Sequence, residues 1–250
     1  MEVLTLIPAR GGSKSVPRKN LLTISGKPLI YWTIKVANEA KLISRVIVST
    51  DDKEIADIAR SFKAEVVMRP SELSGDFSRD IEFHQNVLNY LRDTESYIPD
   101  YVVNLRPTVP FRNPEIIDQA ISTFSKSPDA HSLRSVHISE QTPYKMWKIG
   151  ENGFLETITN PINQEEPYNT PRQLLPIIYW QDGYIDITRP RIIFDMNSTT
   201  GKKILPFVIN NPSQDIDYPD HIKKAEDQLM RSNPLNSFKK NDHTNLRHPS

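Results

Sequence analysis

The sequence predicts an α/β fold: a mostly parallel sheet with helices on both faces and a small inserted β excursion. Two observations carry this. Short β-branched segments alternate with longer stretches of helical spacing through the first half of the chain, the rhythm of β-α-β units. An aperiodic Gly-containing, basic loop then follows the first strand directly, at the edge where such sheets hold ligands.

The elements follow in order. Val3–Ile7 is a short apolar run that reads as a buried strand. Pro28–Ala40 has helical spacing, with Leu29, Trp32, Ile34 and Val36 apolar and Pro28 suited to a first turn. Arg45–Ser49 is a β-branched strand, and Thr50-Asp51-Asp52 caps a helix carrying Ile55, Ile58 and Ala59. Ala64–Met68 reads as strand, Arg79–Leu91 as helix and Tyr101–Leu105 as strand. Asn113 and Pro114 open a helix to Phe124, and Ala130–Val136 reads as a further strand. The rhythm breaks over 142–193. Tyr144–Ile149 and Phe154–Ile158 flank the turn Gly150-Glu151-Asn152-Gly153, a hairpin signal, and Pro176–Ile187 is strand-like. The region is expected to form a β excursion serving as a lid, or as a lid and dimer surface. Asp220–Met230 reads as helix, and 232–250 as a disordered polar tail, leaving one domain over 1–231.

Composition bounds the function. The 250 residues suit a single domain of this type, and 31 basic residues balance 31 acidic ones. Neither nucleic acid nor an anionic membrane is suggested, so the basic loop is a local device. The absence of cysteine excludes disulfides, thiolate nucleophiles and Cys-based zinc sites. No apolar run approaches a membrane span and Glu2 spoils a signal-peptide pattern, so a soluble cytoplasmic protein is expected.

The loop itself, Ala9-Arg10-Gly11-Gly12-Ser13-Lys14 and then Pro17-Arg18-Lys19-Asn20, matches neither the GxxxxGK[ST] nor the GxGxxG pattern. Its glycines let backbone N–H groups approach a bound group, and Arg10 and Lys14 can neutralise phosphate oxygens. Asn20 suits a ribose or phosphate contact. Asp215 and Asp217, two apart, point to one side of an extended chain and can share a hard divalent cation; they equally suit capping of the helix after Pro219. None of the six histidines, His84, His131 and His137 among them, has metal-like spacing, and structural or solvated roles fit them best.

Strand–PARGGSKSVPRKN resembles the signature of the acylneuraminate cytidylyltransferases (CMP-N-acetylneuraminate synthetases). Five further segments match in order: Ser49-Thr50-Asp51-Asp52 with Ile55-Ala56; Arg69-Pro70 with Glu72-Leu73 and Asp76; Leu105–Arg112; Pro171-Arg172-Gln173 with Leu175-Pro176; and Ser213–Asp217 with Asp220 and Ala225-Glu226. The resemblance covers residues 2–230. It implies a doubly wound, mononucleotide-binding domain similar to nucleotide-diphospho-sugar transferases, paired as a homodimer through the excursion. It implies transfer of CMP from CTP to the anomeric hydroxyl of a 2-keto-3-deoxy sugar acid, with pyrophosphate released and Mg2+ assisting. The implied nucleotide contacts are Arg10, Gly11, Gly12, Ser13, Lys14, Lys19, Asn20, Arg69 and Ser78. Arg10, Lys14, Lys19 and Asp217 would be catalytic, and Asp215 and Asp217 would hold the metal.

On the sugar side Lys145, Arg172 and Gln173 match the family, but Arg106 stands where Gln is usual, and Asp182 and Asp186 stand where Asn and Tyr are usual. Arg106 and Arg172 are both candidates for gripping a carboxylate. The paired charge changes suggest a nonulosonic acid other than N-acetylneuraminate. The alternative is that Arg106 and an Asp simply pair with each other. Two further readings fit the same residues: a nucleotidyltransferase for another nucleotide or acceptor, and a nucleotide-binding protein without activity.

Overall fold

A computed structural model describes residues 1–13, 16–159, 166–210, 216, 221–223 and 226. The chain opens with β1 (Val3–Pro8), a hairpin of β2 (Thr23–Ile24) and β3 (Lys27–Pro28), α1 (Leu29–Glu39), β4 (Arg45–Thr50), α2 (Lys53–Ser61) and β5 (Glu65–Met68). It continues with α3 (Asp80–Glu95), β6 (Tyr101–Asn104), α4 (Pro114–Ser125), β7 (Ser132–Ile138), a second hairpin of β8 (Trp147–Ile149) and β9 (Leu155–Thr157), β10 (Tyr179–Thr188), α5 (Pro190–Met196) and β11 (Ile204–Val208). The expected strands and helices through Val136 are all present, with ends displaced by a residue or a few, except that the helix starting at Asp80 runs on to Glu95.

Seven strands form the central sheet in the order β11-β7-β10-β6-β1-β4-β5. β1 pairs in parallel with β4 and β6, β4 with β5, and β7 with β11; only β10 runs antiparallel to its neighbours. One apolar layer, including Ile34, Ile55, Ile117 and Phe124, packs α1, α2 and α4 on one face. Leu4, Leu6, Ile47, Val87, Leu88 and Ile193 pack α3 and α5 on the other. This is the doubly wound arrangement, since each crossover must cover one face or the other.

The excursion is narrower than 142–193. β10 enters the sheet between β6 and β7, with Asp186 opposite Asn104 on one side and Arg134 on the other. Its C-terminal half is buried, because a strand inserted there is covered on both faces. What lies outside the sheet is the β8–β9 hairpin and its flanks. Two elements were not anticipated, α5 and β11. The tract between β1 and α1 also contains a hairpin, whose turn residues Ser25 and Gly26 have φ of 48° and 77°, as a type I′ turn requires. The helix expected over Asp220–Met230 falls largely outside the described residues, of which His221–Lys223 and Glu226 are helical, and the tail lies wholly outside them. Among the described residues no helix is long and apolar enough to cross a membrane.

His84, on the inner face of α3, is 2% exposed; its Nδ1 lies 2.8 Å from the Asp80 carbonyl, to which the neutral ring donates. Burial pushes its pKa down from 6.5 to about 4. Between those values the unfolded chain binds the extra proton, so this contribution to stability is complete above pH 6.5. It is lost as pH falls toward 4, with a slope approaching about 1.4 kcal/mol per pH unit. Urea unfolding across this range is expected to show that component in the wild type and not in His84→Phe; equal slopes would assign the acid sensitivity to other groups.

Candidate functional site

β1 sits where the strand order reverses. From it the chain proceeds outward through β4 and β5, and then returns to β6 on the opposite side of β1. The loops leaving β1 and β6 diverge at this point and open a crevice at the carboxyl ends of the strands. A cavity of about 480 Å³ occupies it. Pro8, Arg10, Ser13, Lys19 and Asn20 line it from the first loop, Arg69, Gly75, Asp76 and Ser78 from the chain after β5, and Arg106, Pro107 and Thr108 from the loop after β6. Arg79, Asp80 and Phe83, at and just inside the start of α3, complete the wall.

The first loop is held open by specific bonds. The Ala9 N–H donates to the Ser49 carbonyl at 3.0 Å, continuing the ladder to β4 by one residue. Arg10 donates to the Gly75 carbonyl at 3.0 Å and meets Asp76 at 3.4 Å. Asn20 donates back to the Arg10 carbonyl at 2.9 Å, so two wall residues fix each other. The Gly11 N–H donates to Asp51 Oδ1 at 2.9 Å, while Gly12 faces open space.

Arg69, like Lys19, is a buried cation of the site. Its Nε and Nη2 reach the Ser49 hydroxyl and carbonyl at 3.2 and 3.1 Å, and its guanidinium lies 4.9 Å from the Phe83 ring centre. Burial lowers its pKa, against the opposing pull of Asp51 and Asp80. A lysine has one point of charge and cannot reproduce the fork.

Arg106 does pair with an aspartate, but with Asp80 rather than Asp182 or Asp186. Asp186 pairs instead with Arg134 at 3.0 Å; burial raises its pKa, while Arg134 and then Arg106 oppose the rise. Asp80, Arg106, Asp186 and Arg134 thus alternate in sign from the cavity wall into the sheet. The loop carrying Arg106 is braced by Arg112, whose guanidinium donates to the carbonyls of Arg106 at 2.9 Å, Gly183 at 3.2 Å, Val109 and Tyr184.

Of the residues expected at the nucleotide, Arg10, Ser13, Lys19, Asn20, Arg69 and Ser78 come together at one cavity, and Gly11 and Gly12 form the adjoining chain. Lys14, Asp215 and Asp217 lie outside the described residues. Ile216 between the two aspartates is described: it is fully buried and its N–H donates to the Thr108 carbonyl at 2.8 Å.

Of the residues expected at the acceptor, only Arg106 lines the cavity. Asp182 is corrected to an internal role. A bulge between Gln181 and Asp186 turns it inward, and its Oδ1 accepts from the Ser135 hydroxyl and, at 3.0 Å, from the Tyr184 N–H. Lys145, Arg172 and Gln173 lie on exposed short turns away from the cavity lining, and Arg172 donates to the Ser139 carbonyl at 3.0 Å beyond β7. Asp80 and Arg134 were not singled out in the sequence. Asp80 resembles an ordinary first-turn acid and Arg134 an ordinary strand residue, so only proximity marks them.

Arg69→Lys is expected to lower stability by about 1.5–3 kcal/mol, the worth of a charged hydrogen bond lost in a buried setting. Chemical denaturation measures this, and an unchanged midpoint would mean that the fork is not needed.

Residues 4–197 match a protein-family model described as cytidylyltransferase. CMP-N,N'-diacetyllegionaminic acid synthase of Legionella pneumophila is 32% identical over 236 residues, covering 93% of this chain and 98% of that protein. Pseudaminic acid cytidylyltransferase of Campylobacter jejuni is 38% identical over 125 residues, 50% of this chain and 53% of that protein. A solved structure of CMP:2-keto-3-deoxy-manno-octonic acid synthetase complexed with CTP shares the fold with a TM-score of 0.69 at 17% identity, covering 92% of this chain and 99% of that one.

Proposed function

This chain belongs to the cytidylyltransferase family, and on that premise we propose that it transfers CMP from CTP to the anomeric hydroxyl of a nonulosonic-type 2-keto-3-deoxy sugar acid. The observation that carries this reading is the convergence of Arg10, Lys19, Asn20, Arg69 and Arg106 on one cavity at the switch point of the sheet. The anomeric oxygen bonds to the α-phosphorus and loses its proton, while the bond to the bridging oxygen breaks and pyrophosphate departs. Such a transfer needs positioning and charge neutralisation more than covalent help. Arg10, Lys14 and Lys19 neutralise the triphosphate, Arg10 exchanging Asp76 for a phosphate oxygen. Arg69 and the chain at Ser78 hold the nucleoside end.

Mg2+ suits the donor set offered by Asp215 and Asp217, which are hard carboxylate oxygens. The buried Ile216 between them, bonded to Thr108 of the cavity wall, supports placing that segment at the site. When bound, the ion supplies charge neutralisation on the phosphates and acidifies the attacking hydroxyl.

We place the acceptor beyond Arg106, toward Asp186 and Arg134. Two ion pairs there replace the usual Gln and Tyr of the sialic acid enzymes, and the likeness to the Legionella protein runs nearly the full length of both chains. Both favour a differently substituted nonulosonic acid, such as one bearing two N-acetyl groups, over N-acetylneuraminate. We further propose a soluble cytoplasmic homodimer joined through the excursion, whose Ile149, Phe154, Leu155, Leu174 and Ile177 are exposed apolar side chains, with Trp180 exposed at the adjoining start of β10.

Pyrophosphate release is expected with CTP and not with the other three nucleoside triphosphates. Among sugar acids it should be faster on N,N'-diacetyllegionaminate than on N-acetylneuraminate; the reverse order would sink the acceptor reading. Asp217→Ala should fold normally and lose about a hundredfold or more in Mg2+-dependent turnover, and near-normal rates would remove Asp217 from the metal site.

A further inference from the structure

We propose that Arg18 is a positioning residue for the phosphate loop: with Asp52 and Glu54 it latches the far shoulder of the loop to the near one and so sets nucleotide affinity. The identity of the nucleotide rests on the cytidylyltransferase reading; the latch itself rests on geometry.

The near shoulder is Gly11. Its N–H is held by Asp51, and a Cβ there would lie 2.7 Å from Asp52 Oδ2, so the chain passes against the Asp52 carboxylate with no room for a side chain. The far shoulder is Arg18, whose Nη2 lies 3.2 Å from the same Asp52 Oδ2 and 2.8 Å from Glu54 Oε2. The carboxylate that leaves Gly11 no room for a side chain is therefore the one that pairs with Arg18 at the other end of the loop. Asp52 is itself fixed, because its Oδ1 caps α2 by accepting from the Ile55 N–H at 3.0 Å, and Ile55 is buried. On the inner side of the loop, Asn20 ties the same two shoulders through the Arg10 carbonyl.

Arg18 also has φ 52° and ψ 35°, a left-handed conformation that residues with a side chain seldom hold unless their surroundings impose it. The next two residues, Lys19 and Asn20, line the cavity. The Arg18 charge is thus spent on α2, not on the cavity, and its effect on a ligand is exerted through the loop. Pre-fixed shoulders leave less freedom to be lost when the triphosphate binds. The Arg18 side chain is half exposed, so each pair is individually weak and screened by salt.

CTP binding by calorimetry and steady-state kinetics test the latch. Arg18→Ala should raise Kd and KM for CTP about two- to tenfold, with kcat and the thermal midpoint little changed. Glu54→Gln should shift KM in the same direction by less, Arg18→Lys should recover part of the loss, and high salt should move the wild type toward the variants. If Arg18 served phosphate directly, freeing it from Glu54 would tighten binding, so a lower KM in Glu54→Gln overturns the proposal. Full recovery by Arg18→Gly overturns it too, since the backbone conformation alone would then suffice. CTP binding unaltered in every variant defeats the latch alone. The expected variant pattern with another nucleoside triphosphate defeats the cytidine reading and leaves the latch standing; no binding of any triphosphate defeats both.

Discussion

β1 is buried along nearly its whole length and paired in parallel on both edges, with β4 on one side and β6 on the other. A parallel strand can be reached only by a crossover that returns the chain to its starting edge, so the loops after β1, β4, β5 and β6 all emerge at one end of the sheet. Because β4 and β6 lie on opposite sides of β1, the two loops that matter most part company there. The cavity is the space between them, and it follows from the strand order before any side chain is considered.

The side chains then solve an electrostatic problem. If the cavity takes a polyanion, as proposed, it needs several cations close together, and those cations repel one another. The structure assigns carboxylates to two of them, Arg10 meeting Asp76 and Arg106 meeting Asp80, while Arg18, outside the cavity lining, meets Asp52 and Glu54. Arg69, which is buried, is given a hydroxyl, a carbonyl and an aromatic face instead. On the proposed reading a substrate phosphate would compete with these pairs, and the pairs keep clustered cations compatible with a stable fold.

The same economy holds beside the cavity. Arg112 sits buried among four backbone carbonyls, tying the loop after β6 to β10. That tie depends on the bulge in β10, where Gly183, at φ 67°, places its carbonyl within reach and Asp182 is turned inward to accept from Ser135 and Tyr184. The antiparallel strand is thus what supports Arg106, and through it that wall of the cavity.

Local pattern was enough to read the β-α-β rhythm, the basic loop after the first strand and several of the residues that line the cavity, because each depends on short-range spacing and on a motif contiguous in the chain. It was not enough for the acceptor side. Alternation marked Pro176–Ile187 as strand, but periodicity does not say which strands flank it, so Asp186 was legible as a charge and not as the partner of Arg134. Arg106 was legible as an unusual cation, while Asp80, its counterion, looked like any acid opening a helix. The sequence by itself therefore determined the fold class and the gathering of basic residues in the loop after β1. Only the tertiary structure decided the pairing of charges, because an ion pair is set by distances across the sheet that no separation along the chain encodes.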